Sequence, residues 1–322
     1  MKKILITGGS GFLGFKLAEK LIIDGENVRI FDNNFRGNFD KFKNFKKLEL
    51  IKGDIRNFKS VKKAVLDCDL IIHLAYINGT SNFYEIPEEV LDVGIVGTIN
   101  ILKASLKSKK LKKFVYASSS EVYHKPLKLP ADEKEILKIP NPQNSRFSYS
   151  SGKIIGEILT FNLLRKTKIK HNIFRPHNVF GPSMGFEHVI PQLLKKIKIK
   201  SRGYKKNCTI PIQGSGLETR AFCYVDDAVK QIIKISKFGK NKEIYNIGQN
   251  KEITIKKLIT DISKILKLKI KIKPGKLMKG SVLRRCPDVK KISKIIKLNN
   301  NYLYGLKQTV LWYKNFYLNE SK

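Results

Sequence analysis

Acidic residues are scarce in this 322-residue chain: 27 Asp and Glu stand against 64 Lys and Arg, a formal net charge of +37. Such an imbalance admits a nucleic-acid or acidic-membrane partner. Yet the basic residues are spread along the whole chain, and only ten of them are arginine. Ile, Asn and Phe are abundant as well, the mark of an AT-rich coding sequence that places Lys broadly on the surface. The densest basic stretch, Lys195 to Arg202, alternates with apolar residues and reads as a solvated helix or strand face. No specific nucleic-acid role is expected; weak nonspecific binding at low salt is. Cysteine is equally sparse. Cys68, Cys208, Cys223 and Cys286 show no CxxC spacing, and the five histidines form no ligand cluster. That argues against a structural metal and for a reduced, cytoplasmic compartment. No apolar run approaches the ~20 residues a membrane helix needs. The start, Met1 to Thr7, has three apolar residues before glycine and reads as a strand, not a signal peptide.

What is present is alternation. Strands are predicted at Lys3–Thr7, Asn27–Asp32, Leu48–Lys52, Leu70–Leu74, Phe114–Ser118 and Lys170–Phe174. Helices are predicted at about 11–24, 60–65, 88–108 and 150–164. This order predicts an α/β fold: a doubly wound parallel Rossmann sheet with helices on both faces. After Arg175-Pro176 the pattern breaks into Gly- and Pro-rich loops with short elements, and Ile244–Ile247 reads as a return to the sheet. From Glu252 onward a helix, a strand at Lys269–Ile272, a loop from Gly280 to Asp288 and a last helix near Leu306–Tyr317 are expected. The expected division is a Rossmann domain at 1–175, with a return near 222–248, and a smaller interleaved substrate-binding region at 176–322.

Gly8, Gly11 and Gly14 stand at GxxGxxG spacing between the first strand and the first helix. Residues without side chains let a pyrophosphate approach the backbone, and the helix start offers unpaired N–H groups and a positive dipole end. Asp32 ends the second strand, 18 residues past Gly14, where a carboxylate accepts from ribose hydroxyls and repels a 2′-phosphate. The expected cofactor is NAD, with Arg36 leaving NADP as the alternative. Asp54-Ile55 follows the third strand and either flanks the adenine or serves as a turn.

Tyr149 and Lys153 are four residues apart on a predicted helix, which puts both on one face. A phenol with its ordinary pKa of about 10 is too weakly acidic to act as a base at neutral pH. A nearby ammonium favours the phenolate. The Ser118–Tyr123 run upstream, SSSEVY, supplies hydroxyls that can hold an oxygen passing from alcohol to carbonyl. Together these groups describe removal of hydride from a carbinol carbon with tyrosine as the base.

With these motifs the chain resembles the extended short-chain dehydrogenase/reductase family from end to end, specifically its NAD-dependent nucleotide-sugar epimerases, dehydratases and decarboxylases. The matching stretches are TGGSGFLG at Thr7–Gly14, GDI at Gly53–Ile55, HLA at His73–Ala75, GTIN at Gly97–Asn100, SSSEVY, and YSSGK at Tyr149–Lys153. Further on come RPHNVFGP at Arg175–Pro182, GSGLETRAFCYVDD at Gly214–Asp227 and RRCPD at Arg284–Asp288. The resemblance implies Tyr149 as base, Lys153 beside it, Ser119 polarising the sugar hydroxyl, and Glu121 at the catalytic centre. It implies a cofactor bed of Gly8, Gly11, Phe12, Leu13, Gly14, Asp32, Asp54, Ile55, Leu74 and Ala75 that also uses Tyr149 and Lys153. It implies that Asn178, Arg220 and one or both of Arg284 and Arg285 hold a nucleotide-diphosphate sugar, and that the chain forms a homodimer through the helices near 88–108 and 150–165. Two departures bear on the reaction. Ser120 stands where hexose 4,6-dehydratases carry their acid, and Gly94 stands where an asparagine is common. The expected activity is oxidation of the sugar at C4 to a 4-keto species. An epimerase or C4 dehydrogenase of surface-polysaccharide biosynthesis is preferred to a UDP-glucuronate decarboxylase or a 4,6-dehydratase. From another class, a non-catalytic Rossmann-fold NAD sensor or RNA-associated protein is the remaining alternative.

Overall fold

The computed structural model describes residues 2–277 and 282–319. Strand β1 (Lys3–Thr7) lies between β2 (Asn27–Asp32) and β4 (Leu70–His73), and β3 (Leu48–Lys52) flanks β2 at one edge. On the other side of β4 follow β5 (Lys113–Ala117), β6 (Lys170–Pro176) and the strand Glu243–Ile247. All seven are parallel. The chain winds outward from β1 through β2 to β3, then returns to β4 and winds the other way. The switch lies between β1 and β4, where the strands' carboxyl ends leave a crevice.

The burial pattern explains why these strands read as continuous apolar runs. Ile4 and Ile6 of β1 pack with Leu17, Ala18 and Leu21 of helix α1 (Phe12–Ile23) on one face of the sheet. Leu5 points the other way, into a cluster with Val61 and Ala64 of α2 (Phe58–Val65) and Ile101 of α4 (Pro87–Leu106). Successive side chains alternate faces, and both faces are covered. The first cluster continues without a break into the C-terminal part through Leu258, Ile262, Leu306 and Val310.

Local chemistry sets the helix starts. Asn57 caps α2 by accepting from the Ser60 amide at 3.0 Å. Pro87 opens α4 with Glu88 and Glu89 in its first turn, where the helix dipole favours them. A short helix, α3 (Thr80–Glu85), precedes α4, and α5 (Ser148–Leu164) carries the Tyr149 motif. The helix predicted near 60–65 begins two residues earlier, and the last helix spans Tyr302–Asn319. The basic stretch from Lys195 falls mostly on the helix Val189–Lys200.

Beyond β6 the elements are short. Thr219–Ala221 pairs with Glu252–Thr254 antiparallel and with Arg284–Arg285 parallel, and Cys208–Pro211 pairs with Ile270–Lys273. Arg284–Arg285 falls in the predicted Gly280–Asp288 loop, of which Gly280 and Ser281 lie outside the described residues. No described helix is long and apolar enough to cross a membrane, and no cluster of metal-ligating side chains occurs among the described residues.

Candidate active site

The nucleotide end is built at the crevice. Gly8 has φ +70°, and a Cβ there would fall 2.7 Å from the Ala75 backbone, so only glycine lets the β1 loop lie against the end of β4. Gly11 is the residue before α1, and Phe12, Leu13 and Gly14 form its first turn. Leu74 and Ala75 are tied to the loop's start: the Leu74 amide donates to the Thr7 carbonyl at 3.1 Å and the Ala75 amide to Thr7 Oγ1 at 3.3 Å. The Asp32 carboxylate accepts from the Ser10 amide at 3.0 Å and from the Asn34 amide at 2.7 Å. It thereby fixes the glycine loop to the end of β2. The Arg36 guanidinium reaches across to the Asn78 carbonyl, 2.6 Å away, and lies against Gly185. Asp54 pairs with Arg56 at 2.7 Å and accepts the Arg56 amide, so its carboxyl sits below the usual range, chiefly through the Arg56 hydrogen bond. Ile55 is buried against Gly97 of α4. A glycine loop leading into a helix N-terminus, a carboxylate at the end of β2 and a lysine at the end of β5 suit a dinucleotide.

Tyr149 and Lys153 both lie buried on α5. Burial pushes the Tyr149 phenol up to about 12, against the pull of a Ser119 hydrogen bond and the charge of Arg36. Phe83 of α3 stacks on its ring at 4.9 Å with 16° between planes. Burial brings Lys153 down to about 7, opposed by the charge of Glu157. Its Nζ donates to the Ala117 carbonyl at 2.6 Å and stands 5.7 Å from the Tyr149 ring centre. The spacing of four therefore brings the two groups together without a direct bond, because the lysine stem runs back to the end of β5. Ser119 also accepts from the Glu121 amide at 3.1 Å, so one hydroxyl links the SSSEVY run to the phenol.

The neighbouring serines do other work. Ser118 donates to Glu157, which holds Arg175 through paired bonds of 2.6 and 2.8 Å. Arg175 in turn donates to Tyr123 Oη, and Tyr123 donates to Asn246, each at 2.8 Å. This buried network ties α5, β6 and the Glu243–Ile247 strand together. It makes Arg175 a part of the scaffold.

Glu121 meets two arginines: Arg146 at 3.2 Å and Arg285 in a shorter ion pair. Arg284 and Arg285, adjacent on a strand, point to opposite sides. Arg284 pairs with Glu252 at 2.6 Å while Arg285 turns inward. Arg220 donates to the Thr219 carbonyl at 2.7 Å, and burial together with the charge of Arg285 brings it down to about 10. Asn178, at φ +42°, donates to the Ala221 carbonyl at 3.3 Å and so sits beside the Arg220 strand. His73 lies between Thr7 Oγ1 at 2.6 Å and Thr98 Oγ1 at 3.2 Å, and burial brings it down to about 3: a satisfied structural histidine. Arg146, Phe83 and Tyr76 join this site without having been singled out from sequence. Arg146 alone left a signal, a cation one helical turn before Tyr149.

Comparison with known proteins agrees with this geometry. Residues 4–248 match the model of the NAD dependent epimerase/dehydratase family. The chain is 32% identical to a UDP-N-acetyl-alpha-D-glucosaminuronate decarboxylase of Bacillus cytotoxicus, over 97% of this chain and 98% of that protein. It is also 32% identical to a putative UDP-glucose 4-epimerase of Methanocaldococcus jannaschii, with the same coverage. In fold it is similar to a UDP-N-acetylglucosamine 4-epimerase from Methanobrevibacter ruminantium, solved with UDP-N-acetylmuramic acid, at TM-score 0.87 and 25% identity over 98% of this chain and 99% of that one. The chain belongs to the NAD-dependent epimerase/dehydratase family of extended short-chain dehydrogenases, and it is a nucleotide-sugar enzyme that uses NAD.

Proposed function

We propose that the substrate is a UDP-linked hexuronate, oxidised at C4 and then decarboxylated. The observation that carries this reading is Glu121, held between Arg146 and Arg285 at a pKa of about 2. An acid held so low is no proton donor at neutral pH, which disfavours acid-assisted loss of water. With Arg220 alongside, the cluster carries surplus positive charge, and Arg146 keeps a buried nitrogen, Nη1, without a partner among the described residues. A sugar carboxylate answers both, since guanidiniums suit planar carboxylates. The relative from B. cytotoxicus supports the same choice of substrate.

The glycine loop of Gly8, Gly11 and Gly14 would hold the pyrophosphate of NAD, Asp32 its ribose hydroxyls, and Lys153 the nicotinamide ribose. NAD, when bound, supplies the hydride acceptor for C4 and a positive charge beside the phenol. Tyr149 Oη takes the proton from O4, and Ser119 Oγ holds that oxygen. With a ketone at C4, the carboxylate on C5 belongs to a β-keto acid. The C5–C6 bond then breaks, carbon dioxide leaves, and Ser119 and Tyr149 hold the negative charge that arrives on O4. A proton from solvent at C5 collapses the enolate, and return of the hydride to C4, with the Tyr149 Oη proton going back to O4, would leave a UDP-pentose. Arg220, Arg285 and Asn178 are assigned to the diphosphate and sugar, and Arg284 to the rim. The enzyme is further assigned to the cytoplasm, where NAD and UDP-sugars are made, and to a homodimer.

The test is incubation with NAD and UDP-glucuronate, or its 2-acetamido analogue, followed by mass spectrometry and proton NMR. A UDP-pentose with release of carbon dioxide is expected, and Tyr149→Phe should lower kcat by about 10³-fold. A product of unchanged mass with altered ring couplings would make the enzyme a C4 epimerase. Turnover of neutral UDP-hexoses alone would overturn the uronate assignment.

A further inference from the structure

Tyr76 follows β4 and lies beside the two groups on which the proposed chemistry depends. The Lys153 ammonium stands 4.0 Å from the centre of its ring, closer than to the rings of Tyr116, at 5.0 Å, or Tyr149. Its ring also meets that of Tyr149 edge to face, 5.1 Å between centres at 82°. Three tyrosines thus box the ammonium, whose hydrogen bond among the described residues goes to the Ala117 carbonyl. The Tyr76 hydroxyl is buried and has no hydrogen-bond partner among the described residues. It occupies a notch cut into the α4–α5 contact: a Cβ on Gly94 would fall 2.0 Å from it, and a Cβ on Gly152 would fall 2.1 Å from it. A buried hydroxyl without a partner is unfavourable, so its seat there calls for a compensating gain. The ring face supplies one. A desolvated ammonium over an aromatic face is stabilised by the ring's quadrupole, and more strongly than in water.

We propose that Tyr76 is a positioning residue that holds the Lys153 ammonium beside Tyr149, and that Gly152, inside the Tyr149–Lys153 motif, is the space its hydroxyl requires. The proposal rests on the Tyr149 reading above. The charged and titratable groups around the pair are Glu157 and Tyr149 on α5, His73 on β4, Tyr116 on β5, Glu121 beyond Ser119, and Arg36 from the loop after β2. Of these, Glu157 is engaged by Arg175 and Glu121 by two arginines, so the aromatic faces are the ammonium's immediate support.

The experiment compares Tyr76→Phe, Tyr76→Leu, Gly152→Ala and the double variant Gly152→Ala/Tyr76→Phe. The first readout is the pH profile of kcat with UDP-glucuronate. The second, free of substrate and cofactor, is the ultraviolet phenolate titration, taken as the difference between each variant and the same variant carrying Tyr149→Phe. Tyr76→Phe, which keeps the ring face, should keep the wild-type profile. Tyr76→Leu should move the acid limb up by about one pH unit, which is roughly tenfold in kcat on the acid side, with KM unchanged. Gly152→Ala should do the same, because its Cβ meets the hydroxyl. The double variant should recover, since the next Tyr76 atom, Cζ, is 3.4 Å from that Cβ. An acid limb unmoved in Tyr76→Leu, or a double variant no better than Gly152→Ala, overturns the proposal. Undiminished turnover in Tyr149→Phe would instead sink the reading beneath it, so the two failures are separable.

Discussion

Glu121 sits well below the usual carboxylate range although burial would raise it, because the charges and hydrogen bonds of Arg285 and Arg146 outweigh that burial. A folded-state pKa near 2 against an unfolded value near 4.3 means the folded protein binds fewer protons in that window. The stabilisation is complete above pH ~5 and is lost as the pH falls toward 2, on the order of 2–3 kcal/mol in all. Glu121→Gln should therefore destabilise the protein at pH 7 and by roughly half as much at pH 3, as read by urea unfolding at both. The pH profile of kcat should show no limb from Glu121 between pH 4 and 9; an acid limb present in the wild type and missing in Glu121→Gln would restore it as a proton donor. Tyr149 and Lys153 were legible as a pair because their spacing is local, whereas Ser119 was picked out of the SSSEVY run only by the family resemblance. Arg36 lies 113 positions before Tyr149 and comes near it only through the order of the strands, which no local pattern records. Arg284 and Arg285 look equivalent as neighbours. Only the strand that bears them decides that one meets Glu252 and the other Glu121.

Helices α4 and α5 pack side by side, and together they leave an apolar stripe half open to solvent. On α5 it comprises Ile155, Ile158, Leu159 and Leu163, with Ile158 55% exposed; on α4 it comprises Leu91, Ile95, Val96 and Ile99. The i, i+3, i+4 spacing puts each set on one helix face. Exposed apolar stripes of this breadth mark association surfaces more often than chance placement does. Ile158→Glu should convert a dimer at micromolar concentration into a monomer in sedimentation velocity, with the unfolding midpoint of the isolated chain little changed. A wild-type chain already monomeric would remove the homodimer. The same helices show why elements were readable unevenly. Long periodic segments such as α4 declare themselves over twenty residues. The six-residue α3 and the two-residue strands Val179–Phe180 and Arg284–Arg285 are too short for any period to show. They exist because tertiary pairing holds them.

Across the whole molecule the excess of positive charge is the dominant long-range force. With 64 basic and 27 acidic residues, most lysines have no carboxylate to face, and their mutual repulsion favours the expanded chain. Exposed ion pairs such as Lys43–Asp40 at 3.1 Å oppose this only weakly, since water screens surface pairs and each contributes little. The two effects respond to salt in opposite directions. Screening weakens attraction in exposed pairs, but it weakens the more numerous repulsions as well, and at 0.1 M the Debye length of about 10 Å already spans neighbouring lysines. Repulsion should win. The melting temperature should rise by roughly 2–5 °C between 20 and 300 mM sodium chloride, the size of a 1–2 kcal/mol change in a chain of this length. Sucrose at matched osmolality serves as the control for solvent effects. A melting temperature that falls with salt would mean that attractive pairs outweigh the bulk imbalance. The same screening should abolish nonspecific binding to duplex DNA over that range, because affinity that comes from counterion release falls steeply with salt. Binding that survived at 300 mM would instead demand a built nucleic-acid site.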